Sequence, residues 1–272
     1  MRIPSDVDGM PRAPSTASDF AARPLATWQT KRPWLWAVLI GVAGTLLTAF
    51  GVGFSQVRHL DPVSAVYTQA AFVALSALVG LAVMWRTKPS LAEYGFRSPL
   101  HVNRALWLLP LFAVPVVLVA FSGISVAPVQ AVAYAALVVC VGFSEEIWFR
   151  GLLLAALRCL GVRKSIIGGS AVFGALHLTN LLAGTPPLYL GLQFALACLA
   201  GFVLAEIVAI TGSLWIGIVW HVVYDLAAFC SGDDLTPAVL ADVATTTALL
   251  AVYAVWLWRR LPTAPPAMAP EG

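Results

Sequence analysis

Two adjacent carboxylates and an arginine interrupt a long apolar run at Glu145, Glu146 and Arg150. Ionisable side chains in such a run are costly in a bilayer, so they usually face a bundle interior or a water-filled cavity. In an α-helix Glu146 and Arg150 share a face, and we predict that Arg150 neutralises Glu146. Glu145 points about 100° away around the helix and is predicted to be free for another role. A buried ion cluster that only stabilises the bundle is an alternative explanation.

Two later apolar segments contribute imidazoles. His177 follows Phe173 by four residues, and His221 precedes Asp225 by four, so each pair shares a helical face. Asp225 could orient or charge-stabilise His221. With Glu145 as general base to a water, His177 could fix that water or stabilise the oxyanion, and His221 with Asp225 could take the second task. Packing of His177 and a local His221–Asp225 pair are the simpler alternatives.

The same residue types are also zinc ligands. His177, His221 and Glu145 could bind Zn²⁺ as a His₂Glu set with an open fourth position. The sequence is therefore compatible with a zinc cofactor but does not require one. Glu206 is predicted to lie near the cytoplasmic interface, either solvated or paired with an arginine.

The composition indicates a membrane protein. The chain has 272 residues, of which 60% are hydrophobic and 11% charged, with a mean hydropathy of +0.86. Soluble domains carry about 25% charged residues. The 16 Lys and Arg residues are dispersed along the chain, and the net charge is only +3, so no nucleic-acid partner is expected.

Apolar runs predict about eight membrane spans in an all-α bundle covering residues 33–260. A helix needs about 20 apolar residues to cross the hydrocarbon core. The predicted spans are 34–54, 64–85, 105–121, 127–157, 165–183, 187–209, 213–230 and 240–258. Residues 1–32 and 261–272 are predicted to be disordered tails.

The distribution of basic residues predicts the orientation. With eight spans, 14 of the 16 Lys and Arg residues fall on the side that carries both termini, while Arg58 alone lies on the other face and Arg150 lies inside a span. Cytoplasmic loops carry an excess of Lys and Arg. Both termini should therefore be cytoplasmic. The excess of arginine over lysine suggests a bacterial chain, and hence a multi-pass protein of the bacterial plasma membrane.

The ordered motifs resemble those of a known family. Their residues are Glu145-Glu146-x-x-x-Arg150, Phe173-x-x-x-His177 and His221-x-x-x-Asp225. This trio is similar to the signature of the CAAX-processing and bacteriocin-immunity (CPBP, or Abi) family of intramembrane proteases. The resemblance covers about residues 86–230, which we take as the protease core.

The resemblance implies a helical endopeptidase that cleaves a peptide bond of a membrane-anchored peptide or protein at or within the bilayer. It implies that Glu145 activates water and that His177 and His221 are the paired histidines, with Glu146, Arg150 and Phe173 supporting the site. Asp225 stands where the family usually has Asn. An ionised carboxylate cannot donate to an oxyanion, so Asp225 is either protonated or acts through His221. The family is described both as metal-dependent and as metal-free, and the sequence leaves both open.

Three other functions fit the same residues. A proton-coupled transporter would use them as a proton relay. A haem protein would use His177 and His221 as axial ligands. A catalytically silent relative would act as a scaffold or immunity protein.

Overall fold

The computed structural model describes residues 31–87, 90–99, 106–231 and 236–261. Within these ranges every regular element is a helix, which confirms the predicted all-α class. In chain order the elements are α1 (Pro33–Val57), α2 (Pro62–Thr87), a 3₁₀ helix (Leu91–Tyr94), α3 (Leu109–Ser122), α4 (Pro128–Glu145), a π-helix (Glu146–Leu153), α5 (Leu154–Leu157), α6 (Val162–His177), α7 (Pro187–Thr211), α8 (Trp215–Ser231) and α9 (Pro237–Trp258). Nearly all of both predicted tails lies outside the described residues.

Proline begins several of these helices, because the first helical position needs no backbone N–H donor. Pro62 shows the pattern: the carboxylate of Asp61 accepts hydrogen bonds from the backbone N–H groups of Val63 and Ser64 and thereby caps α2. At the other end of a helix, Gly212 adopts φ 65° after α7, a conformation that a side chain disfavours. The local sequence therefore determines where these helices begin and end.

Five helices are long and apolar enough to cross a membrane. They are Pro33–Val57, Pro62–Thr87, Pro128–Leu160, Pro187–Thr211 and Pro237–Trp258. Two shorter apolar helices cover Leu106–Ser122 and Trp215–Ser231, and α6 is 16 residues long. The protein is thus a multi-pass helical membrane protein, whereas the count of about eight spans and the side of the termini stay predictions.

The long helix that carries the two glutamates is not a regular α-helix, and the assumption of α geometry at this point was wrong. Residues Glu146–Leu153 form a π-helix, and all eight are buried. A π turn inserts an extra residue into a helix and is frequent at functional sites. Glu146 and Arg150 still meet, with 3.2 Å between Oε1 and Nη1.

Trp148 anchors the π-helix against α1 and α2. Its indole Nε1 donates to the carbonyl oxygen of Ser76, 3.1 Å away, and lies 3.0 Å from the Ser76 hydroxyl. A Cβ at Gly44 would lie 2.6 Å from the Trp148 ring, and one at Gly80 would lie 2.5 Å from Ile147. Small residues in α1 and α2 therefore allow the π-helix to pack close to both helices, as is common in membrane proteins.

Loop contacts define two ends of the bundle. At the inner end, the Ser213 hydroxyl before α8 donates to the carbonyl of Arg97, 2.7 Å away. At the outer end, the Ser231 hydroxyl donates to the carbonyl of Gly123, also at 2.7 Å. The inner end is the side predicted to be cytoplasmic, and the site described next lies between the two ends.

Candidate active site

His221 is the centre of the candidate site, and three carboxylates surround it. The imidazole is 8% exposed. Its Nδ1 lies 3.2 Å from Oε1 of Glu146. Its Nε2 lies 3.4 Å from Oε2 of Glu145 and 3.6 Å from Oδ2 of Asp225. The structure therefore brings α4, the π-helix and α8 together at one imidazole ring.

Both glutamates approach the same histidine in the structure. Glu146 contacts Arg150 as expected, but its Oε1 also contacts His221. Consecutive residues can reach the same ring because the two imidazole nitrogens point to different edges, and each glutamate approaches a different nitrogen. Glu146 is thus part of the His221 environment as well as the partner of Arg150.

Gly217 permits this approach. A Cβ at residue 217 would lie 2.6 Å from Oε2 of Glu146, which is inside van der Waals contact. The same oxygen is buried and accepts no hydrogen bond from any residue that the structure describes. The sequence analysis did not identify Gly217, because a glycine one helical turn before His221 has no distinguishing pattern in a glycine-rich chain.

Phe173 separates His177, His221 and Arg150. Its ring centroid lies 4.6 Å from that of His177 and 6.5 Å from that of His221. The Arg150 guanidinium carbon lies 4.1 Å from the same centroid. Phe173 also accepts a hydrogen bond at its carbonyl from Nδ1 of His177, at 2.9 Å. It therefore holds the positions of three polar side chains without being reactive itself.

A cavity of about 230 Å³ adjoins these residues. Arg150, Phe173, His177, His221 and Asp225 all line it. Glu145 and Glu146 are not among the residues that line it, whereas His221, which contacts both, does line it. The side chain of Glu145 is nonetheless 26% exposed, whereas that of Glu146 is fully buried.

The residues present do not form a zinc site. Among the described residues, no group of three or more His, Cys, Asp or Glu side chains is arranged to hold a metal ion. The predicted set of His177, His221 and Glu145 is not among such groups in the described part of the chain.

The environment of Glu206 differs from the predicted one. Glu206 was expected to be solvated or paired with an arginine, but it is fully buried. Neither of its carboxylate oxygens has a hydrogen-bond partner among the described residues. The correction follows from packing: the whole stretch from Val203 to Ala209 is buried, so α7 has no solvated face at this depth. Glu206 does not line the cavity.

Comparison with known proteins supports the resemblance. Residues 127–227 match the model of the family described as Type II CAAX prenyl endopeptidase Rce1-like. This region contains all the motif residues, from Glu145 to Asp225, and the match confirms the resemblance drawn from the motifs. Neither the comparison with curated proteins nor that with solved structures found a match.

Proposed function

We propose that this chain, which carries an Rce1-like domain, is an intramembrane endopeptidase that hydrolyses a peptide bond of a membrane-associated protein or peptide. The observation that carries the proposal is the convergence of Glu145, Glu146 and Asp225 on His221, at the wall of a cavity that also exposes His177 and Arg150. A carboxylate and two imidazoles beside a cavity are the groups that water activation needs.

Glu145 is the proposed general base. Its Oε2 lies beside Nε2 of His221, and it accepts no hydrogen bond from a described residue. A water held between Glu145 and His221 would give a proton to the carboxylate, and its oxygen would bond to the carbonyl carbon of the substrate. When the C–N bond breaks, the proton passes to the leaving amine.

His177 is proposed to fix that water. Because a carbonyl oxygen can only accept a hydrogen bond, the contact with Phe173 places a proton on Nδ1 of His177. In the neutral ring Nε2 is then an acceptor. Since His177 lines the cavity, Nε2 can accept a hydrogen bond from the attacking water and direct its lone pair at the substrate.

His221 is proposed to stabilise the oxyanion. Its two ring nitrogens face carboxylates, which accept hydrogen bonds when ionised, so this environment favours a donating imidazole. In this proposal Asp225 acts through His221. This role explains how an aspartate can stand at a position where the family that the chain resembles usually has Asn. Glu146, which is paired with Arg150, contacts Nδ1 on the opposite edge of the ring.

The test compares purified wild type with Glu145→Gln in liposomes. Membrane-anchored peptides serve as substrates, and mass spectrometry identifies the products with and without a chelator. We expect cleavage by the wild type and at least a hundredfold loss in Glu145→Gln. Loss on chelation with rescue by Zn²⁺ would assign a metal, and indifference to the chelator would favour the glutamate mechanism.

Glu206→Gln is the matched control. It makes the same isosteric change at a buried glutamate that lies away from the cavity, and we expect it to retain cleavage. Identical product patterns from wild type and Glu145→Gln would remove Glu145 as the base. Equal losses in both variants would show that neutralising any buried glutamate perturbs the bundle.

A further inference from the structure

The cavity continues beyond the catalytic residues to the outer end of the bundle. Besides His221 and Asp225, its wall includes Ser231 at the end of α8 and Asp242 in α9. Ser231 is the residue that binds the α3–α4 connection at the outer end. A single cavity therefore joins the candidate active site to a second carboxylate on a different helix.

Asp242 is a buried carboxylate that faces this cavity without a cation. It is 5% exposed, and its Oδ1 accepts a hydrogen bond from the Thr246 hydroxyl at 3.2 Å. None of the described Lys, Arg or His side chains forms an ion pair with it. A buried charge is costly unless it is paired, so Asp242 is suited to a cation that arrives from outside.

Aromatic side chains line the wall between the two carboxylates. Tyr224 and Tyr189 line the cavity together with Asp225 and Asp242. Tyr224 stacks on Trp220 with 4.9 Å between ring centroids and 12° between the ring planes. Trp220 also lines the cavity. Aromatic faces attract ammonium and guanidinium groups, particularly where water is excluded.

We propose that Asp242, with Tyr189 and Tyr224, forms a subsite for a lysine or arginine side chain of the peptide substrate. The inference rests on the proposed function for the identity of its ligand. His221 and Asp242 line the same cavity, so a peptide held at the catalytic residues can place a neighbouring side chain against Asp242. The charge and the aromatic wall select a cationic side chain over an apolar one of equal length.

Binding is the direct test, and it is done in the Glu145→Gln background so that no peptide is cleaved. The probes are fluorophore-labelled, acylated Leu/Ala peptides with one lysine at successive positions, each paired with the same peptide carrying norleucine. Hydrogen bonds to charged groups contribute more than those between neutral groups, so we expect about tenfold or greater preference for lysine at one position. Asp242→Asn should bring the ratio of affinities close to one.

Asp61→Asn is the matched control, because Asp61 is an exposed acid that caps α2 and does not line the cavity. It should leave the lysine preference unchanged. Asp242→Lys should favour peptides in which glutamate replaces the lysine, and thermal unfolding checks that each variant is folded. A ratio near one in the parent, or an unchanged ratio in Asp242→Asn, overturns the proposal.

A lipid headgroup could supply the same cation. Binding is therefore measured in nanodiscs of phosphatidylglycerol and of phosphatidylethanolamine. Loss of the lysine preference in phosphatidylethanolamine would assign the subsite to the lipid amine and overturn the peptide assignment. A lysine preference without Glu145-dependent cleavage would support the subsite and refute the proposed hydrolase. Glu145-dependent cleavage without a lysine preference would support the hydrolase and refute the subsite.

Discussion

The close approach of Glu146 to Gly217 is the tightest geometric condition on the candidate site. The carboxylate occupies the space that a side chain on α8 would fill. Glu146 in turn touches both His221 and Arg150 through Oε1. A single methyl group at residue 217 therefore acts on the residues that hold the imidazole, although it contacts no reacting atom.

We expect Gly217→Ala to reduce kcat/KM by at least tenfold, because Glu146 must move away from its position and release His221. Cleavage assays on a membrane-anchored peptide would measure the loss. Gly191→Ala is the matched control, since a Cβ at this glycine of α7 would meet nothing within 4 Å. Equal activity of the two variants would show that Glu146 adapts without cost to the site.

Asp225 provides the second prediction at this scale. We expect Asp225→Asn to stay within about tenfold of wild type, because the amide can donate directly to the oxyanion. Asp225→Leu should lose activity by about 10–100-fold, the range found when a carboxylate that orients a functional histidine is removed. The comparison of kcat for the three proteins decides the point, and an Asn variant as inactive as the Leu variant would show that the charge itself is required.

Residue spacing predicted some of these contacts and not others. The pairs Glu146–Arg150 and His221–Asp225 follow from helical geometry, since both partners lie on one segment. The contact of Glu146 with His221 joins residues 75 positions apart, and nothing in local spacing specifies it. No sequence motif includes Asp242, because the cavity that it lines exists only after α9 has packed against α3 and α7.

At the scale of elements, the π-helix and the N-terminal helices form one structural unit. Trp148 is held by Ser76 of α2, and the Ser76 hydroxyl donates to the carbonyl of Gly44 in α1 at 3.1 Å. The motif resemblance added little for α1 and α2, yet they hold the segment that carries Arg150. A π turn could not be predicted, because its apolar pattern over two turns is close to that of an α-helix.

Trp148→Ala tests this unit. Deleting a buried tryptophan ring typically costs about 3–5 kcal/mol, because the cavity closes only in part. We expect a loss of that order in the free energy of unfolding, measured in detergent micelles. Trp85→Ala on α2 removes a ring that is 71% exposed and should change stability by less than about 1 kcal/mol. Similar values for both would mean that α1 and α2 do not hold the π-helix.

At the scale of the molecule, hydropathy predicted a multi-pass helical protein because the bilayer imposes one length on every crossing helix. The α3, α6 and α8 helices are shorter than the five long helices, so helix length alone does not identify them as spans. Charge asymmetry rather than helix length decides the predicted orientation.

Cysteine accessibility tests the orientation. After replacement of Cys140, Cys159, Cys198 and Cys230 by alanine, single cysteines are introduced by Asp61→Cys and Arg260→Cys. An impermeant maleimide should label residue 61 in intact cells, and residue 260 only after the membrane is permeabilised. The reverse pattern, or labelling of both from outside, would contradict eight spans with cytoplasmic termini.

The distance along the chain between Glu146 and His221 also has a consequence for synthesis. The π-helix enters the membrane before α8 has been synthesised. Glu145, Glu146 and Arg150 are therefore in the bilayer for a time without His221 as a partner. During this time the Glu146–Arg150 ion pair, which forms within one helix, lowers the free-energy cost of placing these charges in the bilayer. A nascent chain stopped after Thr211 should therefore be held by the insertion machinery or degraded, and release should follow once residue 225 has been made.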